Sequence, residues 1–398
     1  MSEKPSELVR QHLIDPATCL RCGGCEATCP EGAVRFDSVT FAYAIDPNLC
    51  DGAHECVSVC SSNAINSWRV VPAERMYSLQ EQFSWEDLPE QVDFEGEVPV
   101  VEAEERDLLL EGTLAPASAR RPVTYLYNSK NPLVARIKTN ERVTSGNTDI
   151  RHVVLDFTGT DFQWLEGQNI GIVPPGQDAN GHPHLMRAYS IASDRDGETQ
   201  GTREMALTIK RLIDEWEGKP YFGVCSNYVC ALAPGTEVRV VGPIGDKFLM
   251  PEDPDSRIIM IATGTGIAPM RSFIQRQQRS DTKFVEPMQL YYGGRTPGEM
   301  AYYDELLTLP RNVLESHIAL SRSPNHPKKY VQDILLDQAD QVAEFLKDGN
   351  GHLFICGLVA MEQSVMDVLA KVAGERGLDW DTLHHQLLRQ GRLQIEVY

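Results

Sequence analysis

RIIMIATGTGIAPMRSFIQRQQR, residues 257–279, decides how the carboxyl half of this chain is read. Arg257 to Ala262 is a short apolar run rich in isoleucine, the composition of a strand buried on both faces. From Ile267 the apolar residues recur at helical spacing. Between the two lie Thr263-Gly264-Thr265-Gly266. Glycines there let an anionic group approach the start of the helix, where unpaired amides and the dipole favour negative charge. A lone G-x-G says little, but between a strand and a helix it reads as a dinucleotide-phosphate turn. Pro269 departs from the G-x-G-x-x-G spacing.

Working outward, strands and helices alternate to the last residue: MQLYYGG (288–294), AYYDELLTL (301–309), ESHIAL (315–320), DILLDQADQVAEFL (333–346), HLFICG (352–357), MEQSVMDVLAKVAGE (361–375), DTLHHQLLRQ (381–390) and LQIEVY (393–398). Such alternation with right-handed crossovers predicts a doubly wound parallel sheet over 251–398. Upstream, VTYLYN, RHVVLDF, QNIGIV, MALTIK and TEVRVVG are short β-branched runs separated by turn residues. They predict an antiparallel barrel over 123–250.

The whole chain has 398 residues and a formal net charge of -20. That balance argues against nucleic acid, whose phosphates demand a basic face, and against electrostatic attachment to anionic lipid. No apolar run approaches the roughly 18 residues of a membrane span, and MSEKPSELVR lacks the apolar core of a secretory signal, so a cytoplasmic protein is expected. Residues 71–122 carry 13 acidic and 4 basic side chains and read as an acidic linker, with Tyr77, Phe83 and Trp85 marking a part that packs on a neighbour.

Seven of the ten cysteines fall in the first 60 residues. Crowding of this kind fits metal or cluster binding better than disulfides. Cys19-Leu-Arg-Cys22-Gly-Gly-Cys25-Glu-Ala-Thr-Cys29-Pro30 is C-x2-C-x2-C-x3-C-P, in which three thiolates hold one iron–sulfur cube and the fourth reaches a second. A zinc knuckle would need paired C-x2-C units. Cys50, Cys56 and Cys60 repeat the spacing, but Ala53 stands where the second thiol belongs and Ser61 where the proline does. Crosswise ligation predicts Cys19, Cys22, Cys25 and Cys60 on a complete [4Fe–4S] cluster. Cys29, Cys50 and Cys56 remain for the other, which is expected to be [3Fe–4S] or a labile [4Fe–4S], with Asp51 and His54 the nearest replacement ligands. Residues 10–70 resemble the bacterial two-cluster ferredoxins.

Three further motifs belong to the carboxyl two-thirds. Arg187-Ala-Tyr189-Ser190-Ile-Ala-Ser193 sets a cation, an aromatic ring and hydroxyls along one strand. Gly223-Val-Cys225-Ser226-Asn227 supplies a glycine turn for a pyrophosphate. Ser321-Arg322, followed by Lys328-Lys329-Tyr330, places hydroxyls and cations after a strand end, which suits a 2′-phosphate.

Together with EGQNIG (166–171), GVCSNYVCAL (223–232), FICGL (354–358) and the terminal IEVY, these motifs resemble the plant-type ferredoxin–NADP reductases over residues 123–398. The resemblance implies FAD in the barrel, held by Arg187, Ala188, Tyr189, Ser190, Thr208, Ile209, Lys210, Val224, Cys225 and Ser226. It implies NADP(H) in the α/β domain, against Gly264, Thr265, Gly266, Gly294, Arg295, Ser321, Arg322, Lys328, Tyr330, Gly357 and Leu358. Tyr398 would cover the isoalloxazine, with Ser190, Cys356 and Glu396 lining the hydride-transfer position. Asp214 stands where that family has an adenine-stacking tyrosine, leaving Trp216 or Tyr221 as substitutes.

The fold expected is therefore multidomain, α+β and α/β: a ferredoxin-like iron–sulfur module over 1–70, an acidic linker over 71–122, an FAD barrel and an NADP(H) domain. Electrons would run from NADPH through FAD to the clusters and then to an external one-electron acceptor. Over its full length, including YSLQEQFSWEDLP (77–89), the chain resembles the reductase components of benzoyl-CoA 2,3-epoxidases. That implies a di-iron oxygenase partner in aerobic aromatic catabolism. Two other readings are a stand-alone ferredoxin–NADP+ oxidoreductase with another acceptor or running in reverse, and a non-enzymatic iron–sulfur sensor.

Overall fold

The computed structural model describes residues 8–398 except 20, 22, 53, 54, 59, 61, 63, 93, 95–113, 129, 130, 178–180, 182, 217, 218 and 325. The chain forms two compact units, Met1–Gly112 and Thr113–Tyr398.

In the first unit the order is β1 (Leu8–Leu13), α1 (Gly24–Thr28), β2 (Val34–Asp37), β3 (Ala42–Ile45), α2 (Glu55–Ser58), β4 (Ser67–Pro72) and α3 (Leu79–Phe83). β1 pairs antiparallel with β4, and β2 with β3. Ile14, Val34, Ile45, Val57 and Ile65 form a small core around the cysteines. So few apolar side chains contribute little stability alone, and a bound inorganic centre would supply the rest.

The acidic stretch begins as part of this unit, and the expected boundary between residues 70 and 71 falls inside β4. Three glutamines hold it there by imitating a neighbouring strand. The Gln11 amide accepts from the Tyr77 N–H and donates to its carbonyl, both at 2.7 Å. Gln82 does the same to Ile45 at 3.1 and 2.8 Å. Gln91 does it to Val70, both at 3.0 Å. Ser78 and Glu81 close a reciprocal cap at the start of α3.

The second unit opens with a six-stranded antiparallel sheet built from β5 (Leu133–Arg142), β6 (Ile150–Asp156), β7 (Asn169–Ile172), β8 (Arg187–Ser190), β9 (Glu204–Lys210) and β12 (Glu237–Ile244), in the order β8-β7-β12-β5-β6-β9. A bridge between Ile191 and Leu207 joins the two outer strands, closing the sheet into a barrel. The hairpin β10 (Ile213–Trp216) and β11 (Lys219–Phe222) and the helix α4 (Val224–Ala231) lie between β9 and β12. VTYLYN does not form the expected strand. Tyr127 makes a single bridge to Gly242, and beyond it, among the described residues, only the Tyr125 N–H reaches across, to Pro243 O at 2.8 Å.

Next come β13 (Arg257–Thr263), α5 (Ile267–Arg279), β14 (Met288–Gly294), α6 (Tyr303–Thr308), β15 (Leu314–Leu320), α7 (Val331–Asp337), α8 (Ala339–Lys347), β16 (Gly351–Gly357), α9 (Val359–Glu375), α10 (Trp380–Arg389) and β17 (Leu393–Val397). The five strands are parallel in the order β15-β14-β13-β16-β17, as the alternation predicts. Apolar clusters cover both faces, one around Phe273, Tyr292 and Phe354, the other around Tyr291, Leu353 and Val365. The run 333–346 breaks into two helices at Gln338, whose side chain is held by Tyr291 and His317.

Barrel and sheet are locked by charge. Arg271 on α5, nearly buried, makes two bonds to Glu198 at 2.8 and 2.9 Å. Desolvation works against the Glu198 carboxylate, but Arg271 and His152 hold it down at about 2.

Candidate functional site

Strand order reverses between β13 and β16, and open parallel sheets bind ligands beyond the carboxyl ends at such a point. The Gly264–Gly266 turn after β13, Gly357 at the end of β16 and Tyr398 after β17 converge there. The backbone there is tight. A Cβ on Gly266 would lie 2.0 Å from the Cys356 carbonyl oxygen, so the turn rests directly on the end of β16. Thr263 Oγ1 accepts the Leu358 N–H at 3.3 Å.

The terminal tyrosine is clipped to this turn. Its N–H donates to Gly357 O at 2.9 Å and its phenol lies 2.6 Å from Thr265 Oγ1. The residue is 58% exposed, yet burial of the phenol end pushes its pKa up to about 12. Cys356 and Glu396 are register partners on β16 and β17. Burial raises the Cys356 thiol well above its usual range, which rules out a ready thiolate nucleophile. Burial also pushes Glu396 up to about 7, opposed by Asn169 Nδ2, which donates to its Oε1 at 2.9 Å. Asn169 is the strand partner of Ser190, so Ser190, Asn169, Glu396 and Cys356 form a chain from barrel to sheet. Asn169 lies inside the EGQNIG motif, but nothing in its spacing singles it out.

On the barrel, Arg187 and Ala188 are exposed on the outer strand β8. The Tyr189 phenol is hydrogen-bonded to the buried Cys225 thiol, and burial drives the phenol strongly upward and the thiol to about 11. α4 begins at Gly223 without a side-chain cap, leaving its first amides open. Ser226 Oγ accepts the Leu212 N–H at 3.2 Å, which ties the hairpin to that helix. Val224 is half exposed. The side chains of Thr208 and Ile209 are spent elsewhere. The Thr208 hydroxyl meets the Tyr302 phenol at 2.7 Å, and Ile209 fills the barrel core, so only Lys210 of that trio is exposed. Asp214 faces Tyr221 across the hairpin, and Tyr221 is half exposed; the Trp216 side chain lies outside the described set.

At the ends of β14 and β15, Ser321 donates from N–H and hydroxyl to Gly294 O at 3.0 and 3.2 Å, and the Arg322 N–H donates to Arg295 O at 2.8 Å. Arg295, Arg322, Lys328 and Tyr330 are exposed, with the Lys328 ammonium 5.1 Å from the centre of the Tyr330 ring. Lys329 is ion-paired with Asp337.

In the first unit, Cys19, Cys25 and Cys60 line one cavity beside Gly23 and Tyr43, the grouping that crosswise ligation predicts; Cys22 lies outside the described residues. Cys50 sits in the electrostatic reach of Cys29, and Cys56 is buried in the same core. Backbone amides turn to sulfur, Arg21 N–H to Cys19 at 3.4 Å and Ala33 N–H to Cys29 at 3.2 Å. Sulfur donors ringed by amides fit iron–sulfur clusters. Open helix amides, a guanidinium and an aromatic ring likewise fit a flavin dinucleotide. Asp51 is exposed, while Ala53, His54 and Ser61 lie outside the described residues.

A barrel and a parallel sheet meeting at a capped turn define a flavin- and nicotinamide-dependent reductase. Residues 260–367 match the oxidoreductase NAD-binding domain, and residues 11–61 match the 4Fe-4S dicluster domain. The ferredoxin–NADP reductase of Spirulina sp. is 38% identical over 286 residues, 69% of this chain and 97% of its own length. The chloroplastic enzyme of Spinacia oleracea is 35% identical over 284 residues, 68% of this chain and 77% of its length. Ferredoxin–NADP+ reductase from Plasmodium falciparum with 2′P-AMP superposes with a TM-score of 0.55 at 25% identity, covering 69% of this chain and 99% of that one. The chain belongs to the ferredoxin–NADP reductase family, with a 4Fe–4S dicluster domain before the reductase. It is an NADP-dependent flavin oxidoreductase, which sets aside the non-enzymatic reading. Among the described residues no helix is long and apolar enough to cross a membrane.

Proposed function

We propose that the chain takes hydride from NADPH and delivers electrons singly, through its N-terminal clusters, to a partner oxygenase. The observation that carries the reading is the clasp at the switch point, where Tyr398 lies on Thr265 while Asn169, the strand partner of Ser190, holds Glu396. FAD supplies the conversion from a two-electron donor to one-electron acceptors when bound. The chain's own residues do the rest. Arg187 and the open amides of α4 would hold the pyrophosphate of FAD, and Tyr189 would offer its aromatic surface to the ring system. Tyr398, clipped to Thr265, would cover the position where the two cofactors meet and would have to leave Thr265 to admit nicotinamide. Ser190 and Glu396 hold a hydrogen-bond donor and a titratable carboxyl at that position.

Arg295, Arg322 and Lys328 bind the 2′-phosphate of NADPH, a reading supported by the relative solved with 2′P-AMP. The full-length resemblance to benzoyl-CoA epoxidase reductases favours a di-iron oxygenase acting on aromatic CoA thioesters. The test is rapid mixing with NADPH under argon, followed by optical and EPR detection. Flavin bleaching followed by reduced-cluster signals is expected. Bleaching without any cluster reduction overturns the electron path. Mixing the reduced protein with a purified benzoyl-CoA-type di-iron oxygenase should yield diferrous oxygenase; no transfer, with dye reduction intact, overturns the partner alone.

A further inference from the structure

Ser62 lines the same cavity as Cys19, Cys25 and Cys60 and is only 7% exposed. Its Oγ lies 3.6 Å from Cys60 Sγ. Distance alone does not say which of the two atoms donates, but the chemistry of the site does. Cys60 must give up its thiol proton to bind iron. A thiolate can only accept, so with iron bound the Ser62 hydroxyl is the donor.

The internal repeat offers a comparison. In the first half Glu31 holds the place of Ser62, two residues after Cys29, and it is exposed. The Cys29 sulfur takes the Ala33 N–H at 3.2 Å, and Cys19 takes the Arg21 N–H at 3.4 Å. Backbone donors of this kind come with any sequence that keeps the loop. The Ser62 hydroxyl belongs to one side chain, and a substitution can remove it. Reduction adds an electron that spreads onto the ligand sulfurs, so a donor aimed at one of them stabilises the reduced state more than the oxidised one. Burial strengthens the bond, because little water competes for either partner.

We propose that Ser62 is a tuning residue of the complete cluster, raising its reduction potential by donating a hydrogen bond to Cys60 Sγ. The inference rests on the iron–sulfur reading of the N-terminal unit and on the crosswise grouping of its cysteines. One electron enters the cluster, from the flavin in turnover or from dithionite in a titration. No proton moves with it, since the hydroxyl keeps its own in both states. The serine thereby makes this cluster a better acceptor for electrons that originate in NADPH.

The test is a dithionite titration of the full chain, reconstituted with iron and sulfide and followed by EPR. Ser62→Ala should shift the one-electron equilibrium of this cluster about tenfold toward the oxidised form, a fall of about 59 mV, with iron content and the second cluster unchanged. Ser62→Thr keeps the hydroxyl and should restore most of the difference. Pulsed EPR in D2O should show one exchangeable deuteron fewer beside the cluster in Ser62→Ala than in the wild type. An unchanged potential in Ser62→Ala, equal falls in the alanine and threonine variants, or an unchanged deuteron signal would each overturn the proposal. Iron lost from Ser62→Ala would make the serine a structural support and overturn it as well. A wild-type chain that takes up no iron overturns the cluster reading itself, and iron analysis reveals that before any titration.

Discussion

Gly266→Ala is the perturbation that probes the reductase site most directly. Gly266 has an ordinary helical φ of -60°, so backbone conformation does not demand glycine there. Space does. The added Cβ would stand 2.0 Å from the Cys356 carbonyl oxygen, 2.4 Å from its carbon and 2.8 Å from Gly357 N. All three atoms are backbone of a central strand and cannot rotate aside. Weak carbon–oxygen contacts settle at about 3.3 Å or more, so turn and strand must part by roughly 1.3 Å. Overpacking of this size costs about 2 kcal/mol, a fall in Tm of roughly 4–8 °C for a unit this large.

The larger effect is functional. The same turn carries Thr265, which holds Tyr398, and a shift of about 1 Å at a reacting site can cost 100-fold in rate. Stopped-flow NADPH oxidation by the Gly266→Ala protein should slow by about two orders of magnitude, while bound FAD and cluster content stay at wild-type levels. Wild-type hydride transfer with an unchanged Tm would refute the packing argument. A lowered Tm with wild-type transfer would show that the turn is structural only.

Asn169→Leu removes the donor that holds the Glu396 carboxylate down, a bond to a charged group worth about 1.5–3 kcal/mol. The Glu396 pKa should therefore rise from about 7 by roughly one to two units, read as an alkaline shift in the pH profile of NADPH oxidation that Glu396→Gln abolishes. Because Glu396 is raised on folding, the folded chain binds the extra proton between the ordinary carboxyl range and pH 7. Its contribution to stability is thus present in acid and lost as pH climbs through 7, and a denaturation series in which Glu396→Gln keeps the full slope would contradict this. Arg271→Met strands Glu198 between barrel and sheet and should cost about 3–5 kcal/mol in urea unfolding, most of it recovered with Glu198→Gln; a loss below about 1 kcal/mol would deny that the pair is a lock. Arg322→Leu should raise the KM for NADPH about tenfold to hundredfold with little change for NADH; equal effects on both would place the 2′-phosphate elsewhere.

The parallel sheet was legible because its interior strands β13 and β16 are apolar runs, and burial on both faces leaves that mark in the sequence. The dicluster domain was legible because the spacing within each cysteine motif is local. VTYLYN misled because its β-branched composition is a property of the segment, whereas pairing depends on a partner more than a hundred residues away, which here meets it only around Gly242 and Pro243. Thr208 looked available to a cofactor until its hydroxyl was found on Tyr302, a contact across 94 residues. Asn169 escaped notice for the same reason: it acts on Glu396, more than two hundred residues away in the chain.

The three glutamines that imitate strand partners bear on how the iron-carrying piece can be handled. A fragment ending at residue 70 would leave the amide edges of Val70 and Ile45 bare and strip the chain from Gln11, inviting other molecules to pair there. Ending at residue 92 keeps all three amides engaged. Spectroscopists wanting the clusters free of flavin absorbance should cut there, and expect the shorter piece to precipitate.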